Sequence, residues 1–269
     1  MDDGQATAPS DRDNDAPDNI PKKKTGPHGA RNQHRHIHFA KWLQQRFPMS
    51  FQESHLKKQD DAMRHILDIA GGKGELTARL SMCLQQRVVM VDPRQADIAN
   101  CFDTQVLPRL PNKWQKRIED QRADNPDFVR QKVEERVRQL VTTFDDRTLV
   151  EDAEIQEAVQ NATLLIGLHA DGATEAIVDA ALQYQKPFVV VPCCVFPSFF
   201  PDRTVVMEPD GPSIHVRTHE QFCQFLLQKH PGFRMEILPF EGRNVAILWD
   251  GVSQHLSQPR NVPVADGNL

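Results

Sequence analysis

Apolar residues in this chain fall into short runs separated by segments of mixed polarity, and the spacing of those runs sets the expected elements. Ile66-Leu67-Asp68-Ile69 is followed by Gly71, Gly72 and Gly74, and then by apolar residues at Leu76, Leu80 and Leu84. A short run, a glycine turn and helical spacing predict a strand, a tight turn and a helix. Val88-Val89-Met90-Val91 predicts a second strand that ends on Asp92. Further strands are expected at Leu140–Phe144, Leu164–Leu168 and Pro187–Val191. Arg234–Leu238 and Val245–Trp249 form a terminal hairpin across residues 241–244. Helical segments at Glu151–Asn161, Gly172–Tyr184 and His219–Lys229 fall between them. Strands alternating with helices of ordinary length predict an α/β, doubly wound, seven-stranded sheet with a terminal antiparallel hairpin.

Two further segments carry helical patterning. In residues 31–47, Phe39, Trp42, Leu43 and Phe47 share one face and the other is basic, which predicts an amphipathic helix closed by Pro48. Its bland reading is a docking helix; the functional ones are a lid or a contact to a polyanion. His34, His36 and His38 alternate and cannot share one helical face, so no metal site is expected from them. Residues 95–138 read as a helical insertion between the second and third strands. Residues 1–30 and 252–269 lack apolar periodicity and read as tails that bury too little surface to order, leaving one domain over 31–251.

Composition narrows the class. With 269 residues, 39% hydrophobic content and a net charge of −5, the chain suits one sizeable α/β domain and argues against wholesale coating of nucleic acid. No apolar run is long enough to span a membrane. Five cysteines without C-x-x-C spacing point to free thiols, no disulfide-linked partner and a reducing, cytoplasmic setting. Lys22-Lys23-Lys24 reads as a solvated charge run, with a weak nuclear-import signal or nucleic-acid contact as the alternative. Oligomeric state is not legible.

The chemistry begins at the glycine turn. From Gly72 and Gly74, the third position of a dinucleotide fingerprint is Thr77, so a pyrophosphate cradle is incomplete. Asp68 and Glu75 bracket the turn with negative charge, awkward for a diphosphate and suited to a sulfonium and an ammonium. Asp92 lies 20 residues after Gly72, where an open α/β sheet holds a ribose. Asp68, Gly72 and Gly74 resemble the first motif of class I S-adenosylmethionine-dependent methyltransferases, with Ala70 standing where many members have glycine. That resemblance implies a Rossmann-like sheet and S-adenosylmethionine as cofactor, held by Asp68, Ala70, Gly72, Gly74 and Asp92. It also places Asp145, after the third strand, at the adenine amino group; a plain helix cap is the alternative there.

The loops after strands four and five complete the picture. Gly167-Leu168-His169-Ala170-Asp171-Gly172-Ala173-Thr174-Glu175 and Pro192-Cys193-Cys194 resemble eukaryotic methyltransferases, a tRNA 2′-O-methyltransferase group among them, that carry H-x-C-G-x-x-T-D and C-C there. Asp171 stands where that group has cysteine. Together with Arg35-His36, Phe39-Ala40, Trp42-Leu43 and Asp92-Pro93-Arg94, the pattern is similar to methyltransferase-like proteins of fungi and related eukaryotes. His169 is the candidate base, with a supporting contact to the cofactor as its other reading, and Asp171 its orienter or a substrate contact. Cys193 and Cys194 read as buried inert thiols, since cytosine-C5 methylating enzymes place a further cysteine after strand four. Two function classes follow: a methyltransferase acting on RNA in preference to protein, and an inactive cofactor-binding interaction module.

Overall fold

The structure, a computed structural model, describes residues 34–51 and 64–251. The expected tails and the lysine triplet lie outside the described residues. The first helices are α1 (Arg35–Arg46) and α2 (Pro48–Phe51). The sheet then begins with β1 (His65–Ile69), α3 (Glu75–Ala78, widening into a π-helical turn over Arg79–Cys83) and β2 (Val88–Val91). The insertion follows as α4 (Ile98–Cys101, again widening over Phe102–Val106), α5 (Asn112–Asp124) and α6 (Phe128–Arg136).

The second half runs β3 (Val137–Leu140), α7 (Asp146–Glu151), α8 (Ala153–Asn161), β4 (Ala162–Leu168), α9 (Thr174–Tyr184) and β5 (Phe188–Val191). A small hairpin, β6 (Thr204–Val206) and β7 (Ser213–His215), precedes α10 (His219–Gln228), β8 (Arg234–Ile237) and β9 (Val245–Trp249). The main sheet is seven-stranded in the order β3-β2-β1-β4-β5-β9-β8. Its first five strands are parallel, and β9 runs antiparallel to both β5 and β8. The doubly wound sheet with its terminal hairpin is therefore as the pattern predicts.

Period-two alternation divides the strand side chains between two cores. Ile66, Leu164 and Ile166 face Phe39, Leu43, Leu76 and Leu80, so α1 and α3 cover one side of the sheet. Leu67, Ile69 and Leu165 face Ile155, Val159, Ile177 and Phe222 of α8, α9 and α10 on the other. A third cluster, Ala78, Met90, Ile98, Phe102, Val129 and Val133, packs the insertion helices beside β2. Caps fix several helix starts: Asp145 accepts from Thr148 N, Asp152 from Glu154 N and Ile155 N, and Thr218 from Gln221 N.

Two expectations change. The third strand occupies Val137–Leu140, not Leu140–Phe144, and so the insertion ends earlier than expected. β3 is an edge strand, which needs burial on little of its surface. Arg138 pairs with Glu154, and the Gln139 amide bonds both N and O of Ala96, which hold polar residues in the sheet while Val141 is left exposed. The β6–β7 hairpin is the second change. Its signal, the β-branched run Thr204-Val205-Val206 followed by the turn residues Pro209-Asp210-Gly211-Pro212 and then Ile214, is present in the sequence.

Candidate functional site

The parallel strands end on one side of the sheet, which brings the turns after β1 and β2 and the loops after β4 and β5 together. In the glycine turn Gly72 has φ +61, and a Cβ added there would meet no atom within 4 Å. Gly74, at φ +79, begins α3, and a Cβ there would lie 2.1 Å from Ile98 Cδ1. Gly74 thus lets the helix pack against α4, whereas Gly72 leaves open space above the backbone. Ala70 is also left-handed, at φ +57, and its N–H donates to Val91 O.

Asp92 lies directly against this turn. Its Oδ2 accepts from Gly72 N at 2.9 Å, and Oδ1 accepts from Arg94 N and Nε at 3.0 and 3.2 Å. Asp68 lies beneath the turn, 1% exposed, and accepts the Thr77 hydroxyl at 2.6 Å. Burial pushes its carboxyl up to about 7, opposed by Thr77 and assisted by the Asp92 charge. Thr77, at the position a dinucleotide fingerprint reserves for glycine, is thus a buried brace between β1 and α3. A cleft of about 540 Å³ runs outward from Gly72 between Lys73, Glu75, Arg94, Asn100 and Gln105.

Glu75, in the first turn of α3, draws the N-terminal end of α1 to this region. Its Oε2 lies 3.1 Å from His36 Nδ1, and its Oε1 3.2 Å from Arg109 Nη1. Burial opposes ionisation, but His36, Arg79 and Arg109 hold the Glu75 carboxyl below its usual range. The amphipathic helix expected at 31–47 docks on the sheet through Phe39 and Leu43, and His36 at its N-terminal end reaches Glu75 beside the glycine turn.

After β4 the chain enters a strained loop: His169 has φ +59 and Asp171 φ +47. Left-handed backbone at two non-glycine residues so close together persists only where its surroundings enforce it. The His169 N–H donates to Val191 O, and its ring Nε2 lies 2.9 Å from Arg243 O, in the turn between β8 and β9. A carbonyl only accepts, so Nε2 carries the hydrogen and Nδ1 keeps the lone pair in the neutral ring. Burial, with Arg35 and His36 nearby, holds His169 below its ordinary value against the pull of the Arg243 carbonyl. Nothing in the sequence points to Arg243, which lies 74 residues away.

Asp171 does not orient His169. Its Oδ1 accepts instead from Cys193 Sγ at 2.9 Å. The two cysteines are not buried either: Cys193 is half-buried and Cys194 exposed, because the loop after β5 runs along the surface beside Gly172. Burial and the Asp171 carboxylate push the Cys193 thiol up to about 12, so it is no thiolate nucleophile. Asp145 caps α7, taking Thr148 N on Oδ1 and the Thr143 hydroxyl on Oδ2, and its exposed carboxylate is held below the usual range by those bonds.

A family model described as a methyltransferase domain matches residues 40–196, spanning both the glycine turn and the loops after β4 and β5. The chain belongs to this methyltransferase domain family. Its sheet order and antiparallel terminal strand are those of a class I methyltransferase. No curated protein matches this methyltransferase significantly. Among solved structures, the methyltransferase domain of bacterial CtHen1-CN matches at 11% identity, with 82% of this chain and 99% of that one covered and a TM-score of 0.43. An O-methyltransferase family protein from Burkholderia thailandensis matches at 13% identity, covering 81% and 59%, with a TM-score of 0.34. The methyltransferase CalO6 matches at 17% identity, covering 78% and 65%, with a TM-score of 0.33.

Proposed function

We propose that this methyltransferase uses S-adenosylmethionine and transfers its methyl group to an RNA acceptor in preference to a protein. The observation that carries the cofactor reading is the open space over left-handed Gly72 beside the Asp92 carboxylate, into which an added Cβ would project. The donor chemistry fits: Asp92, whose Oδ2 already accepts from Gly72 N, has lone pairs left to accept ribose hydroxyls. When bound, the cofactor supplies an electrophilic methyl carbon on a sulfonium.

The chain's own residues do the rest. Gly72, Gly74 and Ala70 shape the turn that admits the ligand, Asp92 holds the ribose, and Asp68 with Thr77 fixes the turn from below. Asp145 supports the adenine end only if its capping bonds exchange, so its part is the smallest. His169, with Nδ1 unprotonated, receives a proton from the acceptor, while Arg243 fixes the ring. Methyl transfer needs alignment more than acid–base help, so positioning dominates.

The RNA preference rests on the rim. Arg35 and His36 stand beside His169, and Phe199, 77% exposed, projects from the loop after β5 whose Phe200 abuts Gly172. Cations with an exposed aromatic ring suit phosphates and an unstacked base. The same proposal includes a likeness to fungal methyltransferase-like proteins and a cytoplasmic or nuclear setting.

The test is transfer of a labelled methyl group from S-adenosylmethionine into fractionated cell extract. Label in RNA is expected. Label confined to protein overturns the acceptor, and cofactor binding without transfer to any fraction establishes the inactive module instead.

A further inference from the structure

We propose that Asp171, Cys193 and Cys194 form a binding site for a zinc-type divalent ion that clasps the loops after β4 and β5. One ligand atom from each residue lies within 4.8 Å of the others, and Cys193 Sγ is already 2.9 Å from Asp171 Oδ1. β4 and β5 are adjacent parallel strands paired through Leu168 and Val191, so their loops leave the sheet side by side. All three donors follow those strand ends within three residues. The cluster is thus a product of the sheet topology rather than a chance meeting on the surface.

The separations suit a single ion. Zinc binds thiolate at about 2.3 Å and carboxylate oxygen at about 2.0–2.2 Å, which in a tetrahedron places donors roughly 3.5–3.8 Å apart. The widest separation here must close, and the Cys193–Asp171 contact must open, by on the order of 1 Å or less. Side-chain rotation supplies that.

The backbone beneath is already held. His169 N bonds Val191 O across the two loops. Arg203, 6% exposed, ties the loop after β5 by donating to Val195 O and pairing with Glu175 in the first turn of α9. The donor set also chooses the metal. Two thiolates with one carboxylate favour zinc over magnesium or calcium, which prefer oxygen alone. His169 keeps its Nε2 on the Arg243 carbonyl and is not counted among the ligands. Three protein ligands leave a fourth position, and with Asp171 and Cys194 exposed it opens to solvent and exchanges.

Binding exchanges protons and changes no oxidation state. Each thiol gives its proton to the buffer as its sulfur binds the ion, so two protons leave per metal. The site stands apart from the methyltransferase reading, because metal alone tests it.

The full-length chain, stripped by a chelator, is titrated with Zn²⁺ against a chromophoric competitor and separately with Co²⁺. One equivalent is expected, with thiolate-to-cobalt charge-transfer absorption in the near ultraviolet. A Cys193→Ser/Cys194→Ser variant should lose that absorption and bind zinc at least ~100-fold more weakly, and Asp171→Asn at least ~10-fold more weakly. Circular dichroism establishes that the variants are folded; should the double variant not fold, the cobalt spectrum of the parent and the affinity of Asp171→Asn decide. Absence of charge-transfer absorption in the parent, or parental zinc affinity in a folded double variant, overturns the site. Calorimetry with S-adenosylmethionine on the metal-free chain reads the cofactor proposal independently.

Discussion

Gly72 and Gly74 make a matched pair for testing where the ligand sits. Both are left-handed, at φ +61 and +79, yet an added methyl group meets open space at Gly72 and Ile98 Cδ1 at 2.1 Å at Gly74. In Gly72→Ala the fold bears only backbone strain, about 1–2 kcal/mol. Gly74→Ala bears the same strain plus overpacking against buried Ile98, roughly 1–3 kcal/mol more, for a total of about 2–5 kcal/mol. Against a domain stability of about 5–15 kcal/mol, the Gly72 variant stays folded and the Gly74 variant is the more damaged. Ligand binding should show the opposite order. The methyl group that Gly72→Ala introduces would occupy the space that the cofactor must enter, and a loss of at least tenfold, about 1.4 kcal/mol, is expected, with Gly72→Val losing binding altogether. Urea unfolding gives the first ranking and calorimetric titration with S-adenosylmethionine the second. A folded Gly72→Ala variant with parental affinity would refute the placement of the ligand over this glycine.

Three other outcomes follow from the site. Asp92→Ala should weaken S-adenosylmethionine binding by about 1.5–3 kcal/mol, the scale of hydrogen bonds to a charged group; unchanged affinity, or preference for NAD, would count against the cofactor. His169→Asn should keep cofactor affinity and lower turnover by roughly 10²–10⁴-fold, measured by label transfer at saturating cofactor; an undiminished rate removes His169 from the chemistry. Asp68 titrates near 7 folded and near 3.8 unfolded, so its contribution to stability is present at pH below the lower value and is lost as pH rises through the upper one. The ligand-free chain should therefore lose stability between about pH 4 and 7, by an amount on the order of 4 kcal/mol from this group alone. Asp68→Asn should flatten that slope in urea titrations at a series of pH values, and an unaltered slope would show that Asp68 is not its source.

Much of this molecule is written in local pattern. The glycine turn, β2 ending on Asp92, the alternation of strands and helices and the terminal hairpin are all legible, because short apolar runs and turn residues act over a few neighbours. The third strand departs from its apolar run because an edge strand is held by Gln139 and Arg138 reaching other segments, while the apolar continuation, Val141, is exposed. Residue types at the site are legible too, but their partners are not. Asp171 bonds Cys193 rather than His169, and His169 takes its orientation from the Arg243 carbonyl, whereas the cap that Asp145 makes is one of its two readings from sequence. Spacing along the chain determines which residues share an element. Which side chains meet is decided by β4 lying beside β5 and by a hairpin turn folding back 74 residues later, long-range geometry to which no local preference contributes.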